Sequence, residues 1–196
     1  MISALVISIM LAVTTADDPS WSKPAVVVQG SQPLVRFQTR IVGGYLFVRA
    51  IHEKDWHTYA MDNQVRAMKA LKGKKSLGIE QGIDIRVKRG LKLDGQWSQT
   101  RPRDLSKPEL RWYTYGFDRT SLFACRIKAF TNEPIVLRIQ GQACSGESCR
   151  NIDVVLELQE GQTTEEQTPE QAERLTTMLK DLVPVVTQRA ESVDAP

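Results

Sequence analysis

The stretch Gly141-Gln142-Ala143-Cys144-Ser145-Gly146-Glu147-Ser148-Cys149 sets two cysteines on either side of a four-residue polar turn. Ile135, Leu137 and Ile139 alternate before it, and Ile152, Val154, Leu156 and Leu158 alternate after it. Alternation of this kind reads as two half-buried strands, so the whole is a hairpin. Facing residues of a hairpin approach to about 5 Å, within reach of a disulfide between Cys144 and Cys149. The apolar positions are odd-numbered before the turn and even-numbered after it, whereas Cys144 is even and Cys149 is odd. Both sulfurs are therefore expected on the face away from the core, open to another protein's thiolate. A bulge near Gly141 would reverse this for Cys144.

The rest of the chain supports an all-β reading. Ile83, Ile85 and Val87 alternate with charged residues, and residues 34–50 read as one or two strands around Gly43-Gly44. Residues 56–61 read as a further strand, and residues 90–97 as one with a turn at Asp94-Gly95. Residues 65–71 are ambiguous, and residues 101–108 form a polar loop. Short strands about ten residues apart, separated by turn residues, predict an antiparallel β-sandwich. At the C-terminus, Thr168-Pro169-Glu170-Gln171 has the form of a capping box with proline at the first helical position. Ala172, Leu175, Leu179 and Leu182 then make one apolar stripe. An amphipathic helix ending near Pro184 follows, packed either on the sandwich or on a partner.

A chain of 196 residues with 41% hydrophobic and 25% charged residues can build one core. Residues 1–16 carry no charged side chain and end in Thr14-Thr15-Ala16, the pattern of a secretory signal peptide cut after Ala16. The division expected is a signal peptide at 1–16, a loose lead-in at 17–33, a sandwich at 34–160, and a linker, helix and tail at 161–196. A periplasmic or secreted protein meets an oxidising environment, which favours a Cys144–Cys149 bond. Cys125 lies on the apolar face of the run Phe123, Cys125, Ile127, Ala129 and is read as a core thiol, with a bridge to Cys144 or an intermolecular bond as alternatives.

Other chemistries find little support. His52 and His57 stand at no recognised metal spacing with the cysteines, so no metal and no cofactor is expected. There is no Gly-x-Ser-x-Gly elbow and no phosphate loop. The basic residues between Arg66 and Lys92 could bind anions, but without interleaved aromatics they do not point to nucleic acid. The thiol pair remains. Glu147 would raise a neighbouring thiol pKa and Arg150 would lower that of Cys149, which favours Cys149 as the attacking sulfur. A structural hairpin disulfide is the rival reading.

Gln142-Ala143-Cys144-Ser145-Gly146-Glu147-Ser148-Cys149 resembles the Gln-Ala-Cys-x4-Cys signature of the N-terminal periplasmic domain of the thiol:disulfide interchange protein DsbD family. Asp55-Trp56-His57-Thr58-Tyr59 is similar to that family's Gly/Asp-aromatic-His/Tyr-x-Tyr strand. Ile83-Asp84-Ile85 with the run 90–97, and Tyr115-Gly116-Phe117, are similar to further family segments in the same order. The resemblance spans residues 34–159. It implies an immunoglobulin-like β-sandwich that carries electrons to thioredoxin-like or other thiol oxidoreductases of the envelope. It also implies that Cys149 forms mixed disulfides, that Cys144 resolves them, and that Tyr59 lies near the pair. Aromatics among Trp112, Tyr113, Tyr115 and Phe117 would shield it.

The sequence departs from the family at Arg150-Asn151-Ile152, where prolines are frequent, and at the extra thiol of Cys125. A helix stands where the family's membrane spans begin, so the implied electron source is a membrane-embedded reductase in trans. A non-catalytic binding or structural module is the alternative.

Overall fold

Strands dominate the computed structural model, which describes residues 21–75, 78–158, 163–164 and 169–187. From the N-terminus they are β1 (Ala25–Gln29), β2 (Gln32–Val42), β3 (Tyr45–His52) and β4 (His57–Tyr59). Helix α1 (Asn63–Leu71) precedes β5 (Asp84–Arg89), β6 (Leu91–Thr100) and β7 (Arg103–Asp104). A single 3-10 turn at Pro108–Leu110 leads to β8 (Tyr115–Phe117), β9 (Ser121–Phe130), β10 (Ile135–Cys144) and β11 (Cys149–Leu158). The chain closes with β12 (Thr163–Thr164), α2 (Pro169–Lys180) and β13 (Leu182–Pro184).

Two sheets result. The first is seven-stranded, ordered β1-β2-β3-β9-β6-β13 with β12 added on β2. The second is six-stranded, ordered β11-β10-β4-β8-β7 with β5 on β10. Every pairing is antiparallel except β12 on β2. Leu34, Phe37, Leu46, Val48 and Phe123 from the first sheet meet Leu137, Ile139, Ala143, Ile152 and Leu156 from the second in one core. This is the immunoglobulin-like antiparallel sandwich expected from the alternation of apolar residues, each sheet burying one face.

The helix α2 is present, and it packs back on the sandwich. Its Leu175, Met178 and Leu179 lie with Leu182 against Trp21, Phe47 and Ala124 on the outer face of the first sheet. It stops at Lys180, short of Pro184, because Leu182–Pro184 pairs with β6 through Leu182↔Thr100 and Pro184↔Ser98. Thr168, the expected cap, lies outside the described residues, as do residues 1–16 of the expected signal peptide.

The loose lead-in is corrected in part. Within 17–33, Ala25–Gln29 forms an edge strand paired with β2, its Val27 buried in the core. The ambiguous segment 65–71 is helical as part of α1. The expected turn at Asp94-Gly95 is instead an irregularity inside one continuous strand. The β6–β9 register shifts between Asp94 and Ser98 there, with Gly95 at φ +82°.

Candidate functional site

The hairpin of β10 and β11 keeps one register from Ile135↔Leu158 to Cys144↔Cys149, with no bulge at Gly141. Ala143 is on the core side and fully buried, so its neighbour Cys144 faces outward, as does Cys149 opposite it. The two sulfurs are bonded, with Cα atoms 4.0 Å apart. The turn holds itself without the sulfurs. Ser145 N–H donates to the Ser148 carbonyl at 2.8 Å, and Ser145 Oγ accepts from the Glu147 and Ser148 amides at 3.2 and 3.3 Å.

Outward orientation does not make the two cysteines equivalent. Cys144 is 1% exposed, whereas Cys149 is an exposed residue. The difference arises on the other edge of β10. That edge pairs with β5 over Val136–Gln140 and then with β4 through Ala143↔Thr58 and Cys144↔His57. Cys144 is thus an interior strand position flanked on both sides, and Cys149 lies on the outermost strand of the sheet. Gly141 sits at the changeover. A Cβ there would meet the Gly82 carbonyl oxygen at 3.0 Å and Ile83 Cδ1 at 3.2 Å, and its φ of +151° favours glycine.

His57 therefore stands beside Cys144 on the outer face, and Tyr59, two residues on, shares that face. The rings meet edge-on with centroids 5.3 Å apart, and His57 Nε2 is hydrogen-bonded to the Tyr59 hydroxyl at 3.2 Å. Tyr59 is 1% exposed. Burial, and then the Glu80 carboxylate, hold its phenol well above the ordinary range, so it stays protonated. Burial lowers the His57 pKa, against the opposing pull of the Asp118 and Glu80 carboxylates.

Glu80 arrives on the segment 78–83, which is fastened to β4 and β10 at several points. The Ile83 amide donates to the Tyr59 carbonyl at 3.0 Å and the Gln81 amide to Gln142 Oε1 at 3.0 Å. Fully buried Asn63 donates to the Glu80 carbonyl at 2.9 Å while its Oδ1 accepts from the Tyr115 amide at 2.7 Å. Gly82 is required by close approach, since a Cβ there would fall 2.2 Å from the Ala60 carbonyl oxygen. Glu80 Oε2 is buried with no hydrogen-bond partner among the described residues. An open groove of about 800 Å³ runs past the turn, lined by Gln29, Gln32, Asp55, Trp56 and residues 145–148.

Of the sequence-predicted neighbours, Tyr59 shares the outer face with Cys144. Arg150 is exposed next to Cys149, but it pairs with Ala143 in the row that faces the core side. Phe117 is not beside the disulfide. It pairs with Thr58, is buried, and packs edge-on against Phe123 at 5.6 Å inside the core. Tyr115 shares that orientation and packs against the same core. Trp112 lies under the Lys107 ammonium at 5.2 Å. The segment against the outer face at Gln142 and Tyr59 is 78–83, in place of the aromatic run 112–117.

His57, from sequence a poor metal ligand and otherwise one member of the Asp55–Tyr59 stretch, is a neighbour of Cys144 in the structure. Its alternation with Tyr59 about Thr58 was the signal for a shared face. Among the described residues no three His, Cys, Asp or Glu gather as a metal site. Cys125 is a buried free thiol on the first sheet, opposite Leu46, and burial raises its pKa. Within the basic run, Arg66 is committed to buried Asp62 at 2.8 Å and Arg86 to Asp84 at 2.6 Å.

No protein-family model matches the chain, and no curated protein is significantly similar to it. Among solved structures it is similar to the reduced N-terminal domain of DsbD from Neisseria meningitidis, at 14% identity and a TM-score of 0.42, over 62% of this chain and 82% of that one. It is also similar to a complex between the DsbD and PilB N-terminal domains from the same organism, at 15% identity and a TM-score of 0.46, over 68% and 89%. The GAE domain of GGA2p from Saccharomyces cerevisiae is similar at 8% identity and a TM-score of 0.32, over 70% and 98%. No described helix is long and apolar enough to cross a membrane. The chain is a two-sheet sandwich whose distant structural likenesses leave the site to be read from its own geometry.

Proposed function

We propose that this protein is an exported thiol–disulfide exchange domain that passes electrons through Cys144 and Cys149. The observation that carries the reading is the unequal setting of one outward-facing pair. Cys149 is exposed on the outermost strand, where a partner's sulfur can reach it, and Cys144 is buried beside His57. Exchange needs one accessible sulfur and one shielded resolving sulfur. A mixed disulfide forms at Cys149 and the Cys144 thiol then displaces the partner. The turn is already held by hydrogen bonds of its own, which leaves a staple little to do. Closing so short a loop also contributes at the low end of about 2–4 kcal/mol.

The acceptors in this reading are thioredoxin-like or other thiol oxidoreductases of the envelope. The rival, a binding or structural module with an inert disulfide, differs in its potential. Equilibration with glutathione and thiol trapping should give a value between about −180 and −270 mV. A pair that stays oxidised below about −300 mV is structural, and the exchange reading then fails. Cys149→Ser should abolish disulfide transfer and leave the sandwich folded.

A further inference from the structure

We infer that His57 takes the proton from the Cys144 thiol when Cys144 attacks the mixed disulfide. This rests on the exchange reading above. The step balances without another reagent: the Cys144–Cys149 bond forms, the bond from Cys149 to the partner sulfur breaks, the partner leaves as a thiolate, and the Cys144 proton stays on His57 until it passes to solvent. The partner's disulfide is the oxidant overall, and the protein's dithiol is oxidised.

Strand register brings the two side chains together. Cys144 and His57 are directly opposed in an antiparallel pair, which sets their Cβ atoms about 4.5–5.5 Å apart on the same face. A buried thiol has little access to water as a proton acceptor, so the imidazole is the base at hand. The Tyr59 hydroxyl occupies His57 Nε2. With Nε2–H donating to that oxygen, Nδ1 keeps its lone pair. Burial keeps the imidazole neutral near pH 7, as a base must be.

The charge that appears on proton transfer also has partners waiting. The carboxylates of Asp118 and Glu80 both act on His57, and Glu80 Oε2 is buried without a hydrogen-bond partner among the described residues. Asp118 is itself ion-paired with Arg103, which makes Glu80 the less committed of the two. Tyr59 stays a phenol, and Gln142 and Asn151 complete the face without charge.

The test uses reduced full-length protein and 5,5′-dithiobis(2-nitrobenzoate) in a stopped-flow spectrometer. The first coloured thiolate reports attack by Cys149, and the second reports its displacement by Cys144. In the wild type the second phase should be nearly flat from about pH 6.5 to 8, where His57 is neutral. A second phase that climbs about tenfold per pH unit across that range is a bare thiol and overturns the inference. His57→Gln should slow the second phase at least tenfold at pH 7, leaving the first unchanged. An unchanged second phase in that variant also overturns it. The wild-type profile decides the matter if His57→Gln does not fold. If wild-type protein shows no first phase at all, it is the exchange function that fails.

Discussion

The outer face of the first sheet is apolar and covered, whereas that of the second is polar and carries the thiol pair. On the first, Phe47 and Ala124 lie beneath Trp21 and the apolar stripe of α2. The guanidiniums of Arg40 and Arg49 stack over the Trp21 ring at 4.5 and 4.3 Å. On the second, Arg138 grips Asp153 through two hydrogen bonds of 2.7 and 2.5 Å, Val155 is exposed, and the disulfide sits at the hairpin end. The same alternation of residues thus serves two ends. Where the outward residues are large and apolar, the chain must bring back a helix to cover them. Where they are polar, the face needs no such cover.

The two faces are expected to be energetically independent. Phe47→Ala removes a fully buried ring from the covered face and should cost about 3–5 kcal/mol in urea denaturation. Its folded fraction should still react at Cys149 at the wild-type rate. A matching loss of that rate would mean the α2 face supports the site.

A smaller effect lies at the join between the sheets. His52, at the end of β3, donates Nδ1–H to the Arg119 carbonyl, and its Nε2 accepts from the Thr58 hydroxyl of β4 at 2.8 Å. Burial lowers its pKa to about 4, with the Arg119 carbonyl opposing. Above pH 6.5 His52 is neutral whether the chain is folded or not. As pH falls from about 6.5 to 4 the unfolded chain takes up the proton and the folded one does not, so about 2 kcal/mol of stability is lost. Denaturation midpoints at pH 7 and 4.5 should show this loss, and His52→Gln should flatten it.

Below that window a second group takes over. Burial alone would raise the Asp62 pKa, but Arg66, the Val186 amide and Gln99 together hold it below the ordinary value. The stability it contributes is present above about pH 4 and lost as pH falls further. Leu179→Ala, on the half-buried side of α2, should cost only about 1 kcal/mol and leave the thiol kinetics alone. A larger loss would show the helix to be a main support of the first sheet.

Local periodicity made much of this legible. The parity of Ile135, Leu137 and Ile139 against Ile152, Val154 and Leu156 placed both cysteines outward, and the register agrees. The stripe of Leu175 and Leu179 announced α2, but its end was misplaced because pairing with β6 claims Leu182–Pro184. Strand β1 was hidden because its short Val26-Val27-Val28 run sits among prolines and serines, and only pairing with β2 makes it a strand. Phe117 and Tyr115 looked like a shield because they are aromatic and near the motif in the resemblance. Which way they point depends on pairing with Thr58, which local sequence does not contain.

The alternation of residue types within each segment was enough to set the sandwich class and the hairpin and to bring Cys144 within reach of Cys149, because adjacent strands need only a turn to find their register. The tertiary structure alone decided that Cys144 is buried and Cys149 exposed, that His57 stands opposite Cys144, and that residues 78–83 bring Glu80 to the same face. These depend on strands distant in sequence, whose register follows from how the two sheets close on one core, and no local pattern encodes that closure.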